Sequence, residues 1–311
     1  IDGTLDQGEL DFEDNAAVCV VLASDGYPEH YEKGLPISGL EEFEGREGYY
    51  AFHAGSKFDD RGRIVTNGGR VLGVTAVGQD LKEARARADL RSALLEINKL
   101  AANYFYYQLK HPQGRSGYEY LKKRQLSDDT IRRFGLGFAN KTGDDLYRYL
   151  REKGYGDGIL KETGLVTIEE RGTRDKFWNR VMFPIMDVNN RVIGFGGRVM
   201  GDGMPKYLNS PETRLFDKSR NLYGLNYARS SREKYLLICE GYMDVIAMHQ
   251  AGFTNAVASL GTAFTLQHAT LIRRYTDQVI LTYDSDGAGV KAALRAIPIL
   301  KEAGVGARVL D

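Results

Sequence analysis

The sequence predicts a chain of mixed class, α/β in its C-terminal part and α+β before it. From Tyr235 onward, short apolar runs alternate with helical patterns, which is typical of a parallel sheet flanked by helices. Before that, residues 80–165 are dominated by helical spacing. Residues 15–78 consist of short β-prone runs separated by glycine turns, which predicts a small β-rich unit.

Composition narrows the functional classes. The 311 residues are 42% hydrophobic and 27% charged, which is enough for a buried core in two or three domains. The chain has no apolar run of about 18 residues, and its acidic start "IDGTLDQGELDFED" lacks the pattern of a signal peptide. We therefore expect a cytoplasmic protein with no membrane partner. Cys19 and Cys239 each lie in an apolar run, which predicts buried free thiols.

Charge is distributed unevenly along the chain. Residues 1–92 hold 10 Lys and Arg against 18 Asp and Glu, whereas the remainder holds 32 against 24. Between Arg171 and Arg232 there are 12 basic and 5 acidic residues. This excess favours a polyanionic partner, and a solvated basic face is the alternative on charge alone.

The N-terminal elements follow from local patterns. "NAAVCVVLA" predicts a buried strand, and "YYAFHAG", "RIVTNGG" and "RVLGVTAVG" predict three more short strands. From Asp80, about 30 residues at helical spacing predict one long helix or two abutting ones.

The following elements are helical, then β. "LSDDTIRRFGLG" and "KTGDDLYRYLREKGY" each begin with acidic residues and end with basic residues and glycine, which predicts two helices. "NRVMFPIMDVNNRVIGFGGRVMG" predicts a β-hairpin that turns at "DVNN".

The C-terminal part alternates regularly. Its predicted strand–helix pairs are "YLLIC" with "YMDVIAMHQAG", "AVASLG" with "TLQHATLIRRY", and "QVILTY" with "GVKAALRAIPILKEAG", before a last run "ARVL". Such alternation predicts a parallel sheet with helices on both faces.

Three acidic residues follow two of these strands. Glu240 comes directly after "YLLIC", Asp284 directly after "QVILTY", and Asp286 two residues later. Ligands of open parallel sheets bind beyond the carboxyl ends of the strands, and clustered carboxylates suit Mg²⁺ or Mn²⁺. The alternative for Asp284 and Asp286 is an Asx turn that caps the helix opening near Gly289.

The acids alone leave two reactions open, nucleotidyl transfer and phosphoester hydrolysis, because two bound metal ions serve both. The segment "GFGGRVMGDGMPKYLNSPET" supplies glycines together with Arg198, Lys206, Tyr207 and Asn209. Backbone amides and cations in such a segment hold triphosphate or template phosphates, which favours a polymerising enzyme. A flexible surface loop is the alternative for this segment.

Two stretches carry a specific resemblance. "LLICEGYMDVIAMHQAGFTNAVASLGTAFT" with "VILTYDSDGAGVKAALRAI" resembles the Toprim domain of bacterial DnaG-type primases. "RVMFPIMDVNNRVIGFGGRVMGDGMPKYLNSPETRLFDKSRNLYGL" resembles the N-terminal half of the same catalytic core. With the helical stretch before it, the resemblance covers residues 94–311.

This resemblance implies a DNA primase, which synthesises short RNA primers from ribonucleoside triphosphates on a single-stranded DNA template. It implies that Glu240 is the Toprim glutamate and that Asp284 and Asp286 are the DxD pair, all three being catalytic and metal-binding. The nucleotide- and template-binding positions that it implies are Arg198, Lys206, Tyr207, Asn209 and Lys218.

The sequence departs from the family in two ways. The family's zinc-ribbon ligands have no counterpart here, so we expect no zinc in this chain. The chain also stops at Asp311, before a further acidic pair and before the domain that binds the replicative helicase, the family's partner. A catalytically impaired fragment that only binds single-stranded nucleic acid is therefore an alternative function.

Residues 1–92 resemble a different family. "NAAVCVVLASDGYPEHYEKGLPISGLEE", "FHAGSK" and "GRIVTNGGRVLGVTAVGQDLKEARARA" look like the C-terminal part of phosphoribosylamine-glycine ligase, an ATP-grasp enzyme of purine synthesis. That family's ATP site lies upstream, so a ligase fragment without activity is a third functional alternative. Three origins are open for the junction between the two resemblances: a natural fusion, an engineered joining and an assembly artefact.

Together the resemblances imply three domains. They are a ligase-like β-rich fragment at 1–92, an α+β primase subdomain at 93–232, and a Toprim domain at 233–311 that is truncated at its C-terminal end.

Overall fold

The computed structural model describes residues 13–37, 40–43, 48–170 and 172–310. Contacts divide the chain into two compact units, Ile1–Ser92 and Ala93–Asp311. The division into three domains stays a prediction. None of the helices in the described ranges is long and apolar enough to cross a membrane.

The first unit is built on antiparallel strands, as the glycine-punctuated β pattern predicts. Its elements are β1 (Ala16–Ala23), a 3₁₀ turn (Leu40–Phe43), β2 (Tyr49–His53), β3 (Ser56–Phe58), β4 (Ile64–Thr66) and β5 (Arg70–Gly78). One sheet has the order β1-β5-β2, and β3 and β4 pair separately. A Cβ at Gly69 would lie only 1.9 Å from the Tyr27 ring, so the glycine before β5 leaves the space that this ring occupies.

The predicted burial of β1 is wrong. Its residues are mostly exposed, with Val21 at 55%, and Cys19 is exposed whereas Cys239 is buried. Both thiols are free, as predicted. The apolar run suggested burial on both faces, but β1 is an edge strand of a three-stranded sheet, and only Ala16 and Val18 are partly buried.

The 30-residue helical pattern forms a single helix, α1 (Leu81–Lys110). In the second unit, its buried side chains include Leu94, Ile97, Ala101 and Phe105. These positions are three or four residues apart, so they form one apolar stripe, as the spacing predicts.

The middle of the chain contains more strands than its helical pattern suggests. Its helices are α2 (Arg115–Lys123), α3 (Asp128–Arg133), α4 (Asp145–Glu152), α5 (Asp157–Glu162) and α6 (Leu225–Ala228). Its strands are β6 (Gly137–Ala139), β7 (Val166–Glu169), β8 (Gly172–Asp175), β9 (Arg180–Met186), β10 (Val192–Val199) and β11 (Tyr207–Asn209). Strands β6, β7, β8 and β11 have only three or four residues, which is too short for a periodic signal.

The predicted hairpin is present as β9 and β10, inside an antiparallel sheet of order β11-β10-β9-β6. Its turn is organised by Asp187, whose Oδ1 accepts hydrogen bonds from the amides of Asn189 and Arg191 at 2.9 Å. Asn190 has a φ of 60°, which asparagine tolerates better than most residues.

The C-terminal part confirms the predicted alternation. Its elements are β12 (Leu236–Cys239), α7 (Tyr242–Gln250), β13 (Ala256–Ala258), α8 (Leu266–Arg273), β14 (Gln278–Leu281), α9 (Gly287–Glu302) and β15 (Gly306–Val309). The four strands pair in parallel in the order β13-β12-β14-β15. Ile238, Val257 and Leu281 are fully buried at the centre of this core.

Asp175, at the end of β8, links this strand to α4. Its carboxylate accepts hydrogen bonds from the amides of Leu146 and Tyr147 at 2.8 and 2.9 Å. The residue is only 4% exposed, and burial raises its pKa to about 6. The folded protein therefore binds a proton at Asp175 more tightly than the unfolded chain does.

The Asp175→Asn substitution should change how stability depends on pH. Because the pKa is raised on folding, the contribution of Asp175 is fully present at low pH and is lost as pH rises from about 4 to about 6. Relative to the unsubstituted chain, the variant should gain at most about 3 kcal/mol of unfolding free energy over this window. Urea unfolding at pH 4, 5, 6 and 7 measures this. Asp129→Asn on exposed α3 is the control, and parallel pH profiles for Asp175→Asn and the unsubstituted chain would contradict the assignment.

Candidate functional site

Two of the predicted acids meet at the carboxyl ends of neighbouring parallel strands. Strands β12 and β14 pair with Ile238 opposite Leu281, Glu240 follows β12, and Asp284 lies three residues after β14. The backbone amide of Asp284 donates a hydrogen bond to Glu240 Oε1 at 2.9 Å. The strand pairing therefore places the Glu240 carboxylate against the Asp284 backbone.

Asp286 forms the N-cap of α9. Its Oδ1 accepts hydrogen bonds from the amides of Ala288 and Gly289 at 2.9 and 2.8 Å. This is the turn geometry that the sequence left open as an alternative. The role of Asp286 as a metal ligand stays a prediction.

Gly289 allows α9 to begin directly against the acids. A Cβ at this position would lie 2.1 Å from the Asp284 carbonyl oxygen and 2.8 Å from Glu240 Oε1. The Asp284 carbonyl belongs to the backbone and cannot move away easily, whereas the Glu240 side chain can. A side chain at 289 would therefore displace the Glu240 carboxylate or the turn that carries Asp284.

Asp244, in the first turn of α7, adds to the negative charge. Its Oδ2 accepts a hydrogen bond from the Gly241 amide at 3.0 Å. Burial raises the pKa of Asp244, and the negative charge of Asp284 raises it further, against the opposing effects of the Gly241 amide and Arg124. Burial and the charge of Glu240 also raise the pKa of Tyr283 to about 12. The charges of Asp284 and Glu240 thus act on ionisable neighbours in addition to burial.

The side-chain oxygens of the acids after β12 and β14 fit a hard divalent cation only in part. In the ranges that the structure describes, no group of three or more His, Cys, Asp or Glu side chains is arranged to hold a metal ion. Glu240 and Asp284 nevertheless offer carboxylates at one sheet edge. Mg²⁺ is commonly held by one or two carboxylates, with water and substrate phosphate completing its coordination.

Arg198, on β10, lies between two aromatic rings. Its guanidinium carbon is 5.3 Å from the Tyr120 ring centroid and 5.8 Å from that of Tyr207, distances typical of cation–π contacts. Arg198 also donates a hydrogen bond to the carbonyl of Val199. Its buried Nε atom has no hydrogen-bond partner within the described part of the chain.

A second arginine, Arg180 of β9, is buried beside it. Its guanidinium donates hydrogen bonds to the carbonyls of Gly197 and Pro205 at 3.1 and 2.9 Å. Burial lowers the pKa of Arg180, and the charge of Arg198 lowers it further. The two cations therefore lie close enough to repel each other, which an anionic ligand would relieve.

Lys206 and Tyr207 continue this surface. Lys206 is exposed, and its carbonyl accepts a hydrogen bond from the Val199 amide at 3.0 Å. Tyr207 is paired with Arg198 across β10 and β11, and burial, together with neighbouring Tyr120, raises its pKa to about 12. We call Arg180, Arg198, Lys206 and Tyr207 the basic strand surface.

Asn209 and Lys218 were predicted to bind nucleotide or template, and in the structure both make hydrogen bonds within the protein. The Asn209 side chain accepts a hydrogen bond from the Tyr242 hydroxyl at 2.6 Å and donates one to the Leu260 carbonyl at 2.7 Å. The Lys218 carbonyl lies 2.7 Å from Nε2 of buried His268. The structure thus gathers Arg198, Lys206 and Tyr207, while Lys218 lies on a separate 3₁₀ turn against α8. The binding roles of all five residues stay predictions.

Comparison with known proteins matches both halves of the second unit. A family model for the DNA primase catalytic core, N-terminal domain, matches residues 104–229, and a model for the Toprim domain matches residues 234–311. The solved structure of a DnaG primase catalytic domain bound to single-stranded DNA is 41% identical, with a TM-score of 0.66, and the match covers 72% of each chain.

The chain belongs to the DnaG primase family. The Escherichia coli primase catalytic core is 42% identical, with a TM-score of 0.64, over 70% of this chain and 71% of that one. The DNA primase of Clostridium acetobutylicum is 44% identical over 218 residues, which are 70% of this chain and 36% of that protein. The chain thus spans about a third of the length of the curated primases it matches.

The first unit matches a different family model. The model for the phosphoribosylglycinamide synthetase C domain matches residues 17–103. The predicted resemblance of the primase core and the Toprim fold are confirmed. The ligase-like origin of the N-terminal residues is supported by this family model alone.

The sequence analysis did not single out three residues that lie around Arg198: Arg180, Arg124 and Tyr120. The Tyr120 ring lies near both Arg198 and Arg124, whose guanidinium carbon is 5.7 Å from the ring centroid. The basic run "KKR" at 122–124 was a signal for Arg124. Arg180 gave no such signal, because its approach to Arg198 depends on the pairing of β9 with β10.

The cap at the start of α9 can be tested separately from metal binding. In EDTA, Asp286→Ala should lower the free energy of unfolding by about 1 kcal/mol, because two helix amides lose their acceptor. Asp286→Asn should retain most of the stability, since asparagine caps helices comparably. Urea unfolding measures both, with exposed Asp202→Ala as the control. Equal losses for the Ala and Asn variants would show that Asp286 does not stabilise the helix by capping.

Proposed function

We propose that this protein synthesises RNA primers on single-stranded DNA by nucleotidyl transfer, as a DNA-directed RNA polymerase of the primase type. The observation that supports this most directly is the contact between Glu240 and the backbone of Asp284 at the ends of β12 and β14. It gathers acids where open parallel sheets bind their ligands. Membership of the primase family supports nucleotidyl transfer as the reaction at this acidic edge.

We propose Mg²⁺ as the cofactor, with Mn²⁺ as a substitute of similar ligand preference. Glu240 and Asp284 would hold it, with Asp286 as a third predicted ligand. The bound ion would activate the attacking hydroxyl and stabilise the pyrophosphate leaving group. The protein's own contribution is to orient the carboxylates, by the amide of Asp284 and by the space left at Gly289.

The basic strand surface is proposed to bind the polyanionic substrates, single-stranded DNA and ribonucleoside triphosphates. Arg198 and Arg180 provide charge for phosphates, and the rings of Tyr120 and Tyr207 provide faces on which bases stack. Lys218 is proposed to contribute from its 3₁₀ turn. We propose that this activity takes place in the cytoplasm, because its proposed substrates are DNA and ribonucleoside triphosphates.

The alternative function, single-stranded nucleic-acid binding without synthesis, is not favoured, because the relatives are DNA primases and the similar solved structures are primase catalytic domains. It would need only the basic strand surface. In this case template binding would be retained without nucleotide incorporation.

For residues 17–103 we propose kinship with the phosphoribosylglycinamide synthetase C domain. The family-model match and the antiparallel sheet of β1, β5 and β2 support it. We propose no ligase activity for these residues, since the relatives of the chain are DNA primases.

The metal-binding role of Asp284 is tested by nucleotide incorporation. Asp284→Ala should reduce Mg²⁺-dependent incorporation of ribonucleotides on single-stranded DNA by about 100-fold or more, because the ion loses a carboxylate. Labelled primers resolved on a denaturing gel measure this. Asp129→Ala, an exposed change on α3, is the matched control. An unsubstituted chain that binds DNA but incorporates nothing would support binding without synthesis.

The phosphate contact of Arg198 is tested by salt. Arg198→Gln should weaken binding of single-stranded DNA and reduce the slope of log affinity against log salt concentration by about 0.7, because one fewer counterion is released. Fluorescence anisotropy of a labelled oligonucleotide measures both effects, at salt concentrations from about 50 to about 300 mM. Arg115→Gln is the control, since Arg115 is exposed and pairs with Glu119 on α2. Equal slopes for the two variants would show that Arg198 does not contact a DNA phosphate.

A further inference from the structure

Tyr242 joins the acidic edge to the basic strand surface. It is the first residue of α7, two positions after Glu240. Its hydroxyl donates a hydrogen bond of 2.6 Å to Asn209 Oδ1 on β11. The amide nitrogen of Asn209 in turn donates to the carbonyl of Leu260, at 2.7 Å, just beyond β13. Asn209 thus connects the end of β11 to two points of the Toprim part of the chain.

The Tyr242 ring is fixed by close aromatic packing. It stacks on Phe183 of β9, with centroids 5.2 Å apart and planes 12° apart. Tyr223 meets it edge-on at 4.7 Å and 86°. A Cβ at Gly196 would lie 2.5 Å from Tyr242 Cζ, so the glycine in β10 leaves the space that the ring fills.

Burial makes the hydroxyl contact specific. Tyr242 is 6% exposed, and burial raises the pKa of its phenol, so the hydroxyl remains neutral and can donate. Removing the hydroxyl would leave Asn209 Oδ1 without this donor in a partly buried position. Leaving such an acceptor unsatisfied costs more than the hydrogen bond itself contributes.

We propose that Tyr242 and Asn209 form a positioning pair that holds the basic strand surface in place relative to Glu240. Asn209 and Tyr207 share strand β11, and Tyr207 pairs with Arg198 of β10. Fixing Asn209 therefore fixes the rings and cations around Arg198 with respect to the acidic edge. This inference rests on the proposed primer synthesis, and it gives Asn209 a role that acts through its neighbours.

Tyr223 provides a matched control. It lies in the same aromatic cluster and is 3% exposed, but its hydroxyl has no hydrogen-bond partner among the described residues. Tyr223→Phe and Tyr242→Phe both remove one buried hydroxyl and keep the ring. Only Tyr242→Phe breaks the connection to Asn209.

Amide hydrogen exchange tests the pair without any requirement for activity. In Tyr242→Phe, the backbone of residues 207–210 and 259–262 should exchange about tenfold faster than in the unsubstituted chain, because Asn209, which joins them through Leu260, loses one of its two hydrogen bonds and this contact opens more often. In Tyr223→Phe these segments should exchange at the unsubstituted rate. Equal exchange in the two variants would overturn the proposal, even if the protein makes no primers.

Kinetics test whether the pair positions the catalytic groups. Well below the melting temperature of each variant, Tyr242→Phe should lower kcat for primer synthesis about tenfold, with the template KM within about twofold, because each substrate-binding surface remains intact. A purely structural role would lower the melting temperature and leave kcat unchanged. That result would also overturn the proposal.

A double-mutant cycle identifies the partner of Tyr242. Asn209→Leu removes the acceptor, so adding Tyr242→Phe to it should lower kcat by less than about twofold more. Independent effects that multiply in the double variant would contradict coupling through Asn209. If the unsubstituted chain synthesises no primers, the proposed function is contradicted. The hydrogen-exchange experiment by itself then tests the positioning pair.

Discussion

The parallel pairing of β12 with β14 places the candidate site, because it sets Glu240 beside the turn that carries Asp284. Ile238 and Leu281 lie opposite each other and are fully buried, so the register is held by the core. A slip of one residue would move Glu240 by about 3.3 Å and turn its side chain to the other face of the sheet. The amide of Asp284 and the glycine at 289 depend on this same register.

The site concentrates like charges at a cost in stability. Burial and the charge of Asp284 raise the pKa of Asp244, and burial and the charge of Arg198 lower that of Arg180. Both groups of charges would be more stable apart and in water. Such conflicts are common where a protein binds a charged ligand. The proposed metal–nucleotide substrate would be complementary to an acidic edge and a basic surface, and the contact of Tyr242 with Asn209 connects the two.

Much of the C-terminal fold could be predicted from the sequence, because alternating apolar runs and helices of ordinary length leave few arrangements other than a parallel sheet. The proximity of Glu240 and Asp284 followed from the same pattern. The exposure of β1 did not follow, since an apolar run does not show what covers it. Strands as short as β6 and β11 have no measurable period. The contacts of Arg180 and Asn209 depend on partners distant in sequence, Gly197 and Leu260 among them, so only the folded chain shows them.

We propose that the carboxylates after β12 and β14 share a divalent cation. Anomalous diffraction from crystals of this protein grown with Mn²⁺ tests this proposal without reference to activity, because it locates the ion. We expect an anomalous peak within coordination distance, about 2.2 Å, of oxygens from both Glu240 and Asp284. A peak bound to only one of them, or no peak at this edge at saturating Mn²⁺, would contradict it.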